Sequence, residues 1–318
     1  MSKHERVKEK KKTKNKKHTG RKILLFLVIV IIALGAYFAK RVYDLDGNWM
    51  AALLGHNKQT LENLEELQVL IIGESTGMTD TIIACRYNPK TQEASMLSIP
   101  RDTFTGTDTS SARASQKINS IYIQSKDPTK TLDAVNKVTG LNIQKYVFVD
   151  TEALIKMVDT IGGVEFDVPI DMKYDDGEQN LHIDLKAGKQ KLTGEKVEQL
   201  VRFRHNNDGS TYPYEYGMED YGRMKTQRNL IIAVAKQSLK LKNLTEVKHI
   251  LNIMNEYVDT NMDISDIKDY IPYARSFDLN SIKTAQLPGE STVLNGIWFF
   301  LNNKRETTTV VQELFPKE

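Results

Sequence analysis

Residues 23–39 read ILLFLVIVIIALGAYFA, an apolar run without charge or proline, closed by Lys40 and Arg41. No other stretch restricts the chain as much, because a segment of this kind must satisfy its own backbone as a helix and stay out of water. At about 1.5 Å per residue the helix covers about 25 Å, the short end of what crosses a bilayer core. Tyr37 and the flanking Lys and Arg side chains can lengthen it at the interfaces. A cleaved signal peptide is the rival reading, but its apolar region is normally shorter and a small-x-small site should follow. Leu34-Gly35-Ala36 is a poor site, and Arg41 sits badly behind it. The run is therefore expected to be one uncleaved transmembrane anchor, residues 23–39.

Charge sets the direction of that anchor. Of the 44 Lys and Arg and 41 Asp and Glu in the chain, eleven basic and two acidic residues lie in 1–22. A basic leader before the span keeps the N-terminus in the cytoplasm and sends the rest outside, a single-pass membrane protein. The remainder is acidic, which argues against nucleic acid as a partner. The single Cys85 excludes a disulfide framework and suits an exported protein that folds without one. The six His are too scattered to suggest a metal cluster.

Beyond the anchor, residues 40–66 carry leucines at near-helical spacing and are expected to form a juxtamembrane stalk. The texture then changes. Val69–Gly73, Asp80–Cys85, Glu93–Ile99, Tyr146–Val149 and Val164–Val168 read as strands. Helical spacing marks Leu132–Val138, Leu154–Ile161, Gly194–Leu200 and a long stretch from Asp220 to about Leu241. Alternating strands and helices make residues 67–318 an α/β layered domain. The polar stretch His205–Glu219, with Gly209, Pro213 and three Tyr, is expected to be an exposed insertion. Gly296–Phe300 is expected to pack a closing strand or helix onto the core.

Three clusters carry chemistry. Arg101 and Asp102 follow a predicted strand directly, where ligands of open α/β sheets bind. In Val201-Arg202-Phe203-Arg204, alternation puts Arg202 and Arg204 on one side if the segment is extended, and two forked cations suit a diphosphate. Asp220, Arg223 and Gln227 share one face of a helix and can meet a phosphate from its first turns. Each cluster has a plain alternative: a turn salt bridge, a solvated charged face, and an amphipathic helix start. Arginines with a few carboxylates and no evident catalytic His or Cys suit phosphoryl transfer, and GxxxxGK[ST] is absent.

Taken in order, these segments resemble the LytR–CpsA–Psr family of cell-envelope enzymes. The marks are Val69–Gly73, Asp80-Thr81, Leu97–Thr103, Lys117-Ile118-Asn119, Val158–Val164, Leu192–Glu195, Arg202-Phe203-Arg204, and Asp220-x-Gly222-Arg223-x-x-x-Gln227. The resemblance implies a three-layer α/β/α sandwich with a central mixed sheet outside the membrane. It implies transfer of an anionic glycopolymer, teichoic acid or capsule, from a polyprenyl-pyrophosphate carrier to peptidoglycan through a phosphodiester, with Mg²⁺. The lipid tail would fill an apolar tunnel between sheet and helices. Arg101, Arg202, Arg204 and Arg223 would hold the pyrophosphate with Gln227 beside it, and Asp80 would hold the metal. Asp102 and Asp220 would orient arginines or serve as general base.

Three departures stand out. Gly73-Glu74-Ser75 has Ser75 where the family usually carries a metal carboxylate. Met78-Thr79-Asp80 lacks the Arg usual before Asp80, and the loop between is short. Thr226 replaces a second Arg before Gln227, with Arg228 next to it. The alternative to an enzyme is a non-catalytic receptor for polyprenyl phosphates or glycopolymers. A regulator acting on nucleic acid through the basic tail conflicts with the expected topology.

Overall fold

A computed structural model of the chain describes residues 31–240, 256–263, 267 and 269–316. The basic tail 1–22 and the first part of the apolar run, 23–30, lie outside the described residues, as does Leu241. Among those described, no helix is long and apolar enough to cross a membrane. The chain divides into two compact units, one ending at Leu64 and the other starting at Glu65.

The described part of the first unit opens with helix α1 (31–44). Asp46 and Gly47 then take left-handed backbone. Two short helices follow, α2 (Trp49–Leu53) and α3 (Lys58–Asn63), each started by an asparagine whose side chain accepts a backbone N–H. The Arg41 guanidinium donates to the carbonyl of His56 at 2.7 Å. The expected stalk is thus broken by Gly47 and Gly55, both at positive φ.

The second unit is built on a six-stranded mixed sheet in the order β10-β3-β2-β1-β4-β9. Its strands are β1 (Leu67–Ser75), β2 (Met78–Asn88), β3 (Glu93–Ser98), β4 (Lys145–Val149), β9 (Val258–Thr260) and β10 (Lys283–Gln286). β1 runs antiparallel to β2 and parallel to β4. Alternate residues of β1 serve the two faces. Leu70 and Ile72 are fully buried among side chains of α4 (Ser120–Ser125), α5 (Pro128–Thr139) and the C-terminal helix α10 (Lys304–Leu314). Burying each is worth about 1.5–3 kcal/mol relative to exposure. Ile71 and Gly73 face the other way, toward α6 (Thr151–Thr160) and α8 (Glu219–Ser238). Helices therefore cover both faces of the sheet.

The remaining strands form pairs of their own. β5 (Val164–Val168) pairs with β8 (Gly188–Leu192), and β6 (Met172–Asp176) with β7 (Leu181–Leu185). Their inward residues join α6, α7 (Gly194–Arg202) and α8 in a second apolar cluster. β5 is thus a strand as the sequence suggests, but it lies outside the central sheet. The late apolar run is β12 (Ile297–Asn302), the return strand of a hairpin with β11 (Gly289–Leu294), and Phe300 enters the main core. A short helix, α9 (Ile271–Ser276), precedes β10.

The expected exposed insertion is only partly so. Tyr214 is 87% exposed, but Tyr212 is 1% exposed, packed edge-on to Phe203 and stacked on Tyr216. Aromatic burial anchors the segment, a property its polar composition conceals.

Candidate phosphate-binding site

The site begins at the β1–β2 turn. Ser75 pairs with Met78, so Thr76 and Gly77 alone make the turn, with φ of 55° and 89°. This is a tight hairpin connection that needs positive φ at both residues. The Glu74 carboxylate folds back to accept the Gly77 N–H. A bulge follows: Gly73 pairs with Thr81 and Glu74 with Thr79, which leaves Asp80 as the extra residue. Bulges re-aim side chains, and Asp80 lines the cavity beneath the sheet.

Arg101 comes from the turn that ends β3. The Thr103 N–H and hydroxyl both donate to the Pro100 carbonyl. The turn is braced from elsewhere: the Phe300 N–H donates to the Asp102 carbonyl, and the Asn119 N–H to that of Arg101. Arg101 Nη1 donates to Asp80 Oδ1 at 2.9 Å, and its Nε lies 3.8 Å from Asp220 Oδ1 and 3.9 Å from Asp102 Oδ2. Lys117 Nζ donates to Asp102 Oδ1 at 2.6 Å. Burial opposes the Arg101 charge, but Asp80, Asp220 and Asp102 together outweigh it and raise its pKa.

Helix α8 supplies the third side. Its start rests on Tyr212: a Cβ at Gly222 would collide with that ring and with the Gly217 backbone. Thr211 Oγ1 accepts the Glu219 N–H and donates to the Arg204 carbonyl, tying Arg204 to the helix start. Asp220 Oδ1 lies 2.6 Å from Arg223 Nη2 and 3.6 Å from Arg204 Nε, in neither case with hydrogen-bond geometry. Arg223 is 3% exposed. Burial pushes its pKa down, Asp220 opposes that, and Arg101 adds to it. One carboxylate oxygen therefore sits among three guanidinium groups whose Nε atoms lack hydrogen-bond partners. Such unsatisfied, preorganised donors suit an anion with several oxygens.

Two expected site residues are placed differently. Arg202 is the last residue of α7, because the Thr193 cap starts a helix that runs through Leu200, so the extended reading of 201–205 fails there. Its guanidinium pairs with Glu198 Oε1 at 3.1 Å and Gln179 Oε1 at 3.3 Å, not with the Asp220 group. Gln227 donates to the Val201 carbonyl at 3.1 Å. Both still line the cavity. Lys117 received no role from sequence, although it stands in one of the segments that carry the resemblance. Arg228, beside Gln227, is buried and donates to Ser98 Oγ at 2.8 Å rather than facing the cavity.

The cavity has a volume of about 480 Å³ and lies between the sheet and helices α6 and α8. β1, β3 and β4 all end on its charged side, which Arg101, Arg204 and Arg223 line. Ile71, Val147, Leu154, Met157, Ile231 and Val234 line the rest. Among the described residues, no group of three or more His, Cys, Asp or Glu is arranged to hold a metal ion. The carboxylates around the cavity are individually engaged: Asp80 by Arg101, Asp102 by Lys117, Asp220 by Arg223, Asp150 by the Ala153 N–H, and Glu74 by the Gly77 N–H.

A family model described as the LytR_cpsA_psr family matches residues 2–315. Biofilm regulatory protein A of Streptococcus mutans is 28% identical over 90% of this chain and 74% of its own length. The polyisoprenyl-teichoic acid–peptidoglycan teichoic acid transferase TagU of Enterococcus faecalis is 26% identical over 92% of this chain and 93% of its own. The crystal structure of B. subtilis TagV superposes with a TM-score of 0.65 at 24% identity, covering 80% of this chain and 99% of that one.

Proposed function

Because the chain belongs to the LytR–CpsA–Psr family, we propose that it transfers an anionic glycopolymer from a polyprenyl-pyrophosphate carrier to peptidoglycan. The polymer is of the teichoic acid or capsule class, and the reaction runs at the outer face of a membrane that residues 23–39 cross. One observation carries the reading: an apolar cavity under the sheet ends at a cluster of three buried or half-buried arginines. A prenyl chain and a diphosphate joined end to end have that polarity. The teichoic acid transferase named above supports the substrate class.

In this reading Arg101, Arg204 and Arg223 hold the diphosphate, with Arg202 and Gln227 on the same wall. A peptidoglycan hydroxyl oxygen forms a bond to the phosphorus that carries the polymer. The bond from that phosphorus to the bridging oxygen breaks, and the prenyl phosphate leaves with the electron pair. The guanidinium groups stabilise the charge that grows on the leaving phosphate. Asp102 is the most exposed carboxylate beside Arg101, at 33% against 22% for Asp80 and 24% for Asp220, and is assigned to receive the hydroxyl proton. Asp220 and Asp80 position guanidinium groups.

Mg²⁺, if held in such a site, would supply positive charge against the phosphates. Here Asp80 is held by Arg101 and Ser75 offers a hydroxyl in place of a second carboxylate, so the donor set does not fit a protein-held divalent ion. No step above passes through one. The same substitution favours a second reading, a receptor that binds polyprenyl phosphates without turning them over.

The test is release of prenyl phosphate from a short polyprenyl-pyrophosphate glycan by the purified chain, wild type beside Arg101→Ala. Turnover lost in the variant supports a transferase. Arg101-dependent binding without turnover would move the assignment to the receptor.

A further inference from the structure

Resting on the reading of the cavity as a prenyl-pyrophosphate site, we propose that this chain binds the diphosphate through guanidinium groups alone, without a divalent cation, and that Ser75 sets this property. The argument is one of donors and charge. A divalent ion shared between protein and phosphates needs at least one carboxylate oxygen free to meet it, and usually two. The bulged Asp80 is the carboxylate near the start of β2, and Arg101 takes its Oδ1 at 2.9 Å while Arg223 Nη1 lies 4.0 Å from its Oδ2. Ser75 closes the hairpin opposite Met78, so no loop remains between β1 and β2 to bring another acid across. Glu74 is the nearest acid in sequence, and its side chain is folded onto the turn.

The positive charge that a metal would bring is supplied by side chains. Arg101 reaches Asp80 and Asp220 together, and so does Arg223. The two carboxylates hold the two guanidinium groups near each other before any ligand arrives. A diphosphate meets preorganised cations and need not carry its own counterion. Placing a divalent ion among Arg101, Arg204 and Arg223 would add like charge at short range, which low-dielectric surroundings make costly.

The experiment is calorimetric titration of the full chain, in detergent micelles, with farnesyl pyrophosphate, once with EDTA and once with Mg²⁺. Wild type and Ser75→Asp are compared. The expected result is a wild-type Kd that differs by less than about twofold between the two conditions, and a Ser75→Asp Kd that Mg²⁺ lowers by about tenfold. Wild-type binding that is lost in EDTA overturns the inference and leaves the proposed function standing. No binding in either condition overturns both. A variant as indifferent to Mg²⁺ as wild type overturns the assignment to Ser75. The wild-type arms decide the central point even if the variant does not fold.

Discussion

Arg223 Nη2 lies 2.6 Å from the carboxylate of Asp220, three residues before it on α8, and that carboxylate also faces Arg101 and Arg204. Removing it leaves three cations facing one another, one of them almost wholly buried. Asp220→Asn is expected to cost about 2–4 kcal/mol of stability, less than the loss of a lone buried counterion because Asp80 remains. Inorganic pyrophosphate should return much of that loss, since an anion replaces the missing charge. Chemical denaturation of the variant with and without pyrophosphate measures both effects.

Gly222 touches no ligand in the proposed reading, yet it sets the height of α8 over Tyr212. Gly222→Ala would drive a methyl group into that ring and the Gly217 backbone. We expect a loss of about 1–3 kcal/mol from overpacking. Thr211 couples the helix start to Arg204, so diphosphate affinity should fall as well. Thermal unfolding and farnesyl pyrophosphate titration on the same samples check the pair.

The apolar and charged parts of the cavity should be separable. Val234→Trp adds bulk on the α8 wall, away from the arginines at the other end of that helix. Affinity for geranylgeranyl pyrophosphate is expected to drop about tenfold, which is 1.4 kcal/mol. Affinity for inorganic pyrophosphate should hold. A parallel loss of both would show that the tail does not occupy this space.

Tyr146 gives a pH prediction. Its hydroxyl donates to Asp259 at 2.9 Å, joining β4 to β9. Burial first, then Asp259, pushes its pKa up to about 12 from 10. The folded state thus keeps a proton that the unfolded state loses above pH 10. Stability from this group is whole below pH 10 and falls between pH 10 and 12, by up to about 1.4 kcal/mol per unit. Tyr146→Phe should flatten that part of the urea-stability profile, while costing about 1 kcal/mol at neutral pH for the hydrogen bond.

Much of the central sheet was readable because its strands are apolar runs buried on both faces, as at Val69–Ile72. Outside that sheet, β6 and β8 were not, since Lys173, Asp175, Lys189 and Lys191 turn outward and leave too little apolar signal. Val201 and Phe203 illustrate the limit of short alternation: two apolar residues two apart fit a strand, yet one lies in the last turn of a helix and the other caps it. The i, i+3, i+7 face of α8 was legible from spacing. The approach of Asp80, Arg101 and Asp220 was not, because residues far apart in sequence meet only when β2, the turn after β3 and α8 are assembled. What pointed to it was the resemblance.

The hydrogen bonds from Phe300 to Asp102 and from Phe104 to Phe300 bind the arginine-bearing turn to a strand near the end of the chain. A ribosome makes residue 300 long after residue 101. The turn that presents Arg101 therefore lacks its brace until β12 has been made, and the site is complete only from then on. A chain that stops before β12 would carry much of the cavity wall without a braced Arg101.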